Sequence, residues 1–153
     1  MRRKDQEITD PELLKAIIAK ADVCRIALFD GSTPYIVPLN FGYSGNCLYF
    51  HTARAGKKLD ILRRNNRICF EIESGLEIVK AEKACEWTMK YYSIIGYGRA
   101  EIVDDTPSKV SGLNVIMQKY SGQSAWDYPA AMLERIVIIK LPIEEMTGKK
   151  SGY

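Results

Sequence analysis

The run Cys47-Leu48-Tyr49-Phe50-His51-Thr52-Ala53-Arg54-Ala55-Gly56-Lys57-Lys58-Leu59-Asp60 decides how the chain is read. Its first half is apolar and aromatic, as a buried strand requires, and it ends in His51 and Thr52. A turn of small residues follows, and a helical pattern begins at Lys57 and Lys58. Such a junction brings anion-binding elements to one point. The helix start offers unpaired N–H groups and the positive end of its dipole, Gly56 lets a ligand approach the backbone, and the two lysines supply charge. Thr52 adds a hydroxyl donor. The pattern predicts a corner that holds a phosphate, with a solvated helix face as the competing reading of the lysines taken alone. It matches neither the nucleotide P-loop nor the Gly-x-Gly-x-x-Gly dinucleotide turn.

Upstream, Asp10-Pro11 marks a helix entrance and Leu13 to Ala21 keeps helical apolar spacing. Val23 to Phe29 reads as a strand, Asp30-Gly31-Ser32 as a hairpin turn, and Pro34 to Tyr43 as its return strand. Pro38 cannot donate to a ladder, so this strand is either an edge or locally opened. In the opened case the backbone around Val37 and Leu39 is free to face a planar ligand, and Asn40 is a polar residue in apolar company. Downstream, Lys57 to Arg64 is a helix and Arg67 to Glu73 a strand, while charged Ser74 to Trp87 reads as a loop. Thr88 to Val103 is β-rich, Ser108 to Tyr120 helical, and Glu134 to Pro142 a central strand before a polar tail. Trp126 and Tyr128 are expected beneath that last strand.

These elements predict one domain over residues 1–153: an antiparallel sheet of about six strands with peripheral helices, closed into a small Greek-key barrel. So small a barrel leaves little interior room, which places a flat cofactor outside it, in a cleft between two subunits. The chain is 46% hydrophobic and 27% charged, which excludes a disordered or fibrous class, and its net charge of +3 argues against a dedicated nucleic-acid binder. No apolar run approaches a membrane span, and Met1 to Glu7 lacks the apolar core of a secretory signal, so the expectation is a cytoplasmic protein away from membranes. Four scattered cysteines and a single histidine exclude a structural zinc site.

The segments Val23 to Leu28, Pro34 to Tyr43, Leu48 to Ala53 with Gly56-Lys57-Lys58, and Ser93 to Gly98 resemble, in this order, the flavin-binding split barrels of the pyridoxamine 5′-phosphate oxidase superfamily. Within it the chain looks most like the nitroimidazole-resistance proteins. The resemblance implies a homodimer with flavin mononucleotide (FMN), or alternatively the dinucleotide (FAD), at the subunit interface. His51-Thr52 and Gly56-Lys57-Lys58 then meet the phosphate, where the oxidases carry Tyr-Thr and Ser-Arg-Lys. The lost serine hydroxyl and the exchange of arginine for lysine weaken the grip. Ile36, Val37, Pro38, Leu39 and Asn40 border the isoalloxazine ring, and Trp87 and Tyr97 of the second subunit close its far side.

The implied chemistry is two-electron reduction of a nitroaromatic or similar small molecule, with reduced nicotinamide as donor. His51 either delivers a proton or is a hydrogen-bonded barrel residue beside the cofactor. The alternative is a non-catalytic split barrel that stores flavin, or haem with His51 as axial ligand. Arg63, Arg64 and Arg67, at one helix end without interleaved aromatics, make a poor nucleic-acid surface.

Overall fold

The computed structural model describes residues 3–153; Met1 and Arg2, part of the segment read above for a signal, lie outside them. Nine strands and four helices follow one another as β1 (Glu7–Ile8), α1 (Pro11–Lys20), β2 (Cys24–Phe29), β3 (Pro34–Leu39), β4 (Gly42–Ser44), β5 (Cys47–Ala53), α2 (Lys57–Arg64), β6 (Arg67–Val79), β7 (Thr88–Arg99), β8 (Glu101–Val103), α3 (Thr106–Ser121), α4 (Ala130–Leu133) and β9 (Ile136–Ser151). All six expected runs form strands, but Pro34 to Tyr43 divides into β3 and β4 and Thr88 to Val103 into β7 and β8, and β1 is additional. Two strands also run further than expected. β6 runs on to Val79, and the polar tail is the second half of β9, which pairs with β7 and β1 through Lys149. Their alternation is weak because these extensions run past the core and much of both faces is exposed, so consecutive positions no longer alternate between burial and solvent.

The sheet order is β3-β2-β6-β7-β9-β5-β4, with β1 and β8 also on β9. Every pairing is antiparallel. β3 and β4 end this path, yet only Asn40 and Phe41 separate them. The barrel therefore closes through the chain but not through hydrogen bonds, which leaves a seam between the free edge of β3 and the end of β5. Extended at constant register from Gly42 opposite Tyr49, the β4–β5 ladder would set Asn40 against His51. Instead β3 turns away to pair with β2, from Cys24 opposite Leu39 to Phe29 opposite Pro34.

Ile26, Leu28, Phe41, Leu48, Phe50, Ile68, Phe70, Ile72, Ile94, Ile139 and Leu141 fill the barrel. Their burial at every second position of each strand drives closure. β9 holds the two halves together. Its first half pairs with β5 and β8 and its second with β7, with a register shift where Tyr97 faces Glu145 and Gly98 faces Ile143. α3 covers the outside of the first half, seating Leu113 and Ile116 on Ile138. Asp10 caps α1, accepting from Glu12 N at 2.9 Å, and Asp105 caps α3, accepting from Ser108 N at 2.9 Å. Tyr128 packs against the α3 cluster as expected, whereas Trp126 is exposed and donates to Gln123 O.

Candidate functional site

β5 delivers its last residues to the seam, and the chain then turns at Gly56, whose φ of 130° and ψ of 162° suit glycine alone. A Cβ there would meet no atom within 4 Å, so the backbone lies open to solvent. No side chain caps α2. Leu59 N and Asp60 N both donate to Gly56 O, at 2.9 and 3.1 Å, which leaves the N–H groups of Lys57 and Lys58 without an acceptor among the described residues. The Lys57 ammonium lies 4.8 Å from the centroid of the Tyr35 ring on β3. Lys58 is half-buried, and this desolvation pulls its pKa below the usual lysine range. Neither ammonium meets a carboxylate among the described residues, although Arg63 and Arg54 nearby pair with Asp60 and Asp104. An uncapped helix start, an open glycine and two free cations suit a phosphate.

β3 is an edge strand, as Pro38 requires: among the described residues its one ladder is with β2. Alternate backbone groups of β3 thus face the seam, and Pro38 contributes a carbonyl with no N–H. Ile36 is 62% exposed. Val37 and Leu39 turn inward against the core. Phe41 N donates to Tyr120 Oη at 3.0 Å, and Tyr120 Oη donates to Asp22 O at 2.7 Å, so α3 pins the β3–β4 crossing. Asn40 lies against the same hydroxyl.

His51 sits opposite Ile138 on β5 and is exposed on the outer face, whereas Thr52 is partly buried. Desolvation, and then the charge of Lys58, hold the His51 imidazole below its ordinary pKa. It is therefore mainly neutral at pH 7, and any proton it delivers becomes available as the pH falls through its midpoint. The chain holds one histidine, so NMR gives a single imidazole titration. Its midpoint is expected below about 6.5 in the free protein and to move up once a phosphate neutralises Lys58. A midpoint at or above that value without ligand contradicts this environment.

Of the expected site residues, Lys57 lies beside Tyr35 on β3 and Lys58 lies close enough to His51 to bear on its titration, whereas Trp87 and Tyr97 lie elsewhere. Trp87 follows the β6–β7 turn, 49% exposed, its indole donating to Ala81 O at 2.7 Å. Counted along β6 from Ile72, which lies level with the Leu39 end of β3, the hairpin tip is about 23 Å away. Tyr97 is on the outer face of β7, opposite Cys69, with the Arg67 guanidinium 5.8 Å from its ring centroid. Within one chain neither reaches the seam. A cavity of about 430 Å³ between α3 and β8 contains none of the expected residues. Sequence reasoning missed Tyr35, which carries Lys57, and Tyr120, which locks the crossing. Strand alternation marks Tyr35 as inward like Val37 and Leu39; no local signal marks Tyr120.

Among the described residues no cluster of ligating side chains could hold a metal, and no helix is long and apolar enough to cross a membrane. Comparison with known proteins agrees with the fold. The solved structure of a candidate 5-nitroimidazole antibiotic resistance protein from Bacteroides thetaiotaomicron superposes with a TM-score of 0.84 at 32% identity, over 94% of this chain and 86% of that one. The flavocytochrome Anf3 of Azotobacter vinelandii has the same fold, with a TM-score of 0.84 at 22% identity over 100% and 72% of the two chains. So does an FAD- and heme-binding protein of Mycobacterium smegmatis, at 0.85 and 18% over 97% and 74%. A curated relative, the uncharacterized protein RA0666 of Rhizobium meliloti, is 34% identical over 61 residues, so the match spans 40% of that protein's length. Residues 10–150 match the family description "Pyridoxamine 5'-phosphate oxidase", and the chain belongs to that family.

Proposed function

We propose that this chain is a flavin-dependent oxidoreductase that works as a homodimer, holds its flavin at the subunit interface, and reduces a nitroaromatic or similar small molecule by two electrons. The observation that carries the proposal is the meeting of an uncapped helix start and two free ammonium groups with an open strand edge at one seam. The description of the Bacteroides protein supports the choice of acceptor. The flavin, when bound, supplies the two-electron chemistry, with reduced nicotinamide as its donor. The N–H groups and ammonium groups of Lys57 and Lys58 hold the phosphate, the backbone from Ile36 to Asn40 borders the ring, and His51 hands a proton to the acceptor.

A second copy is supported by surface. The outer face of β3-β2-β6-β7 exposes Ile36, Phe29, Ile95 and Tyr97. The chain presents 9108 Å², against about 7,800 Å² expected for a monomer of its mass. The excess of roughly 1,300 Å² exceeds the share that one partner buries in an ordinary interface. Trp87, remote from its own seam, and Tyr97, on the outer face of β7, would close the ring's far side from the other copy.

The purified protein is expected to be yellow, to sediment as two chains, and to consume one reduced nicotinamide for each nitro group taken to the nitroso level. A colourless protein that takes up no added flavin overturns the reading. A Soret band favours the haem alternative, for which exposed His51 is the one imidazole ligand, and bound flavin without turnover favours the storage alternative.

A further inference from the structure

Arg54 is a cation of the β5–α2 turn that the phosphate corner leaves out. Its guanidinium lies against Asp104, at the junction of β8 and α3: Nη1 donates to Asp104 Oδ1 at 2.6 Å, and Nη2 donates to Asp104 Oδ2. Nη1 also donates to Glu134 O at 3.3 Å, just past α4. Such a fork fixes direction as well as distance, because two parallel N–H groups meet both oxygens of one carboxylate.

Behind the carboxylate stands Lys109 of α3, only 3% exposed. Its ammonium donates to Asp104 Oδ1 at 3.1 Å, to Leu133 O at 2.6 Å and to Ile136 O at 3.4 Å, which uses all three of its N–H groups. Those two carbonyls flank the α4–β9 connection, and Ile136 is the register partner of Ala53, the last residue of β5. The guanidinium, and then the ammonium, keep the Asp104 carboxyl below the usual carboxylate range, so the centre of the network is an anion at neutral pH.

The turn has little else to hold it. Arg54 and Ala55 make no backbone–backbone hydrogen bond among the described residues, and Gly56 contributes only its carbonyl, to the first turn of α2. With a glycine hinge in open surroundings, no backbone bond within the turn sets where the N–H groups of Lys57 and Lys58 point. The Arg54 side chain supplies that tie, and Arg63 of α2 adds a second by donating to Arg54 O at 3.4 Å. One residue thus joins the end of β5 to the helix that forms the corner and, through Asp104 and Lys109, to α3 and β9.

We infer that Arg54 and Asp104 are positioning residues for the flavin phosphate, with Lys109 seating the carboxylate: the network fixes the β5–α2 turn, and with it the N–H and ammonium groups of Lys57 and Lys58, in the geometry that receives the anion. This rests on the flavin reading above. The rival role for Arg54 is a third phosphate cation that Asp104 holds in reserve, and the two roles differ in sign at Asp104. FMN and riboflavin, which share the ring and differ by the phosphate, are titrated separately into flavin-free protein, following flavin fluorescence. The parent is compared with Arg54→Gln and Asp104→Asn, both at half-exposed side chains. The parent is expected to prefer FMN by about 100-fold. Arg54→Gln should lower FMN affinity by about tenfold and leave riboflavin within about twofold, and Asp104→Asn should lower FMN affinity as well.

An Asp104→Asn protein that binds FMN more tightly overturns the assignment in favour of the reserve cation. Unchanged FMN affinity in both variants overturns it, and so do variants that weaken the two flavins alike, since the fold as a whole is then what loosens. In each of these cases a parent that prefers FMN leaves the flavin reading intact. A parent with equal affinity for FMN and riboflavin overturns the assignment together with the phosphate corner, and a parent that binds neither overturns it together with the flavin reading.

Discussion

Lys57→Gln combined with Lys58→Gln is expected to give a folded, colourless protein whose flavin affinity is lower by about 100-fold or more. A hydrogen bond from a charged group contributes roughly 1.5–3 kcal/mol, and the double variant removes two such donors from one anion. Glutamine keeps the helix propensity of lysine, and neither ammonium is tied to a carboxylate, so the fold loses little. The helix N–H groups and the open Gly56 remain, which is why some binding should persist. A fluorescence titration reads the affinity, and far-UV circular dichroism checks the fold. Unchanged affinity would mean that the corner does not hold the phosphate, and the proposed function would lose the observation it stands on.

The second large effect concerns the fold. Gly98→Ala is expected to destabilise the protein by about 3 kcal/mol or more and lower Tm by roughly 10 °C. A Cβ at Gly98 would sit 2.1 Å from Pro142 O and 3.0 Å from Leu141 Cδ1. The obstacle is backbone, at the bend where β9 passes from β5 to β7, and it cannot rotate away as a side chain can. Gly122→Ala is the comparison: Gly122 has a φ of 74° and open space around it, so alanine there costs only the left-handed conformation, about 1 kcal/mol. Equal melting temperatures for the two variants would show that crowding at the β7–β9 crossing contributes nothing.

Much of the architecture was legible because burial alternates with the pleat. Val23 to Phe29, Leu48 to Thr52 and Ile136 to Leu141 each carry apolar residues toward the barrel, and this periodicity needs no partner to be seen. Asp10-Pro11 announced α1 by local chemistry alone, since the capping oxygen of Asp10 and the capped N–H of Glu12 lie two residues apart. The second half of β9 was not legible. Glu144, Glu145, Thr147, Lys149 and Lys150 look like a tail, and they form a strand because β7 supplies a ladder that no local signal announces.

For the site, the residues of one continuous stretch, His51 to Lys58, determined that a strand end, an open glycine and an uncapped helix start lie side by side, because they are adjacent through covalent bonds. Tertiary structure alone decided what faces that corner. Leaving the β4–β5 register to pair with β2, β3 opens the seam, and that choice depends on contacts between residues far apart in the chain. The same folding brings Asp104 to Arg54 at the β5–α2 turn, carries Tyr120 to the crossing at Phe41, and sends Trp87 out of reach. Sequence spacing specifies neighbours a few residues apart; the meeting of distant segments is set by which closed barrel buries the most apolar surface.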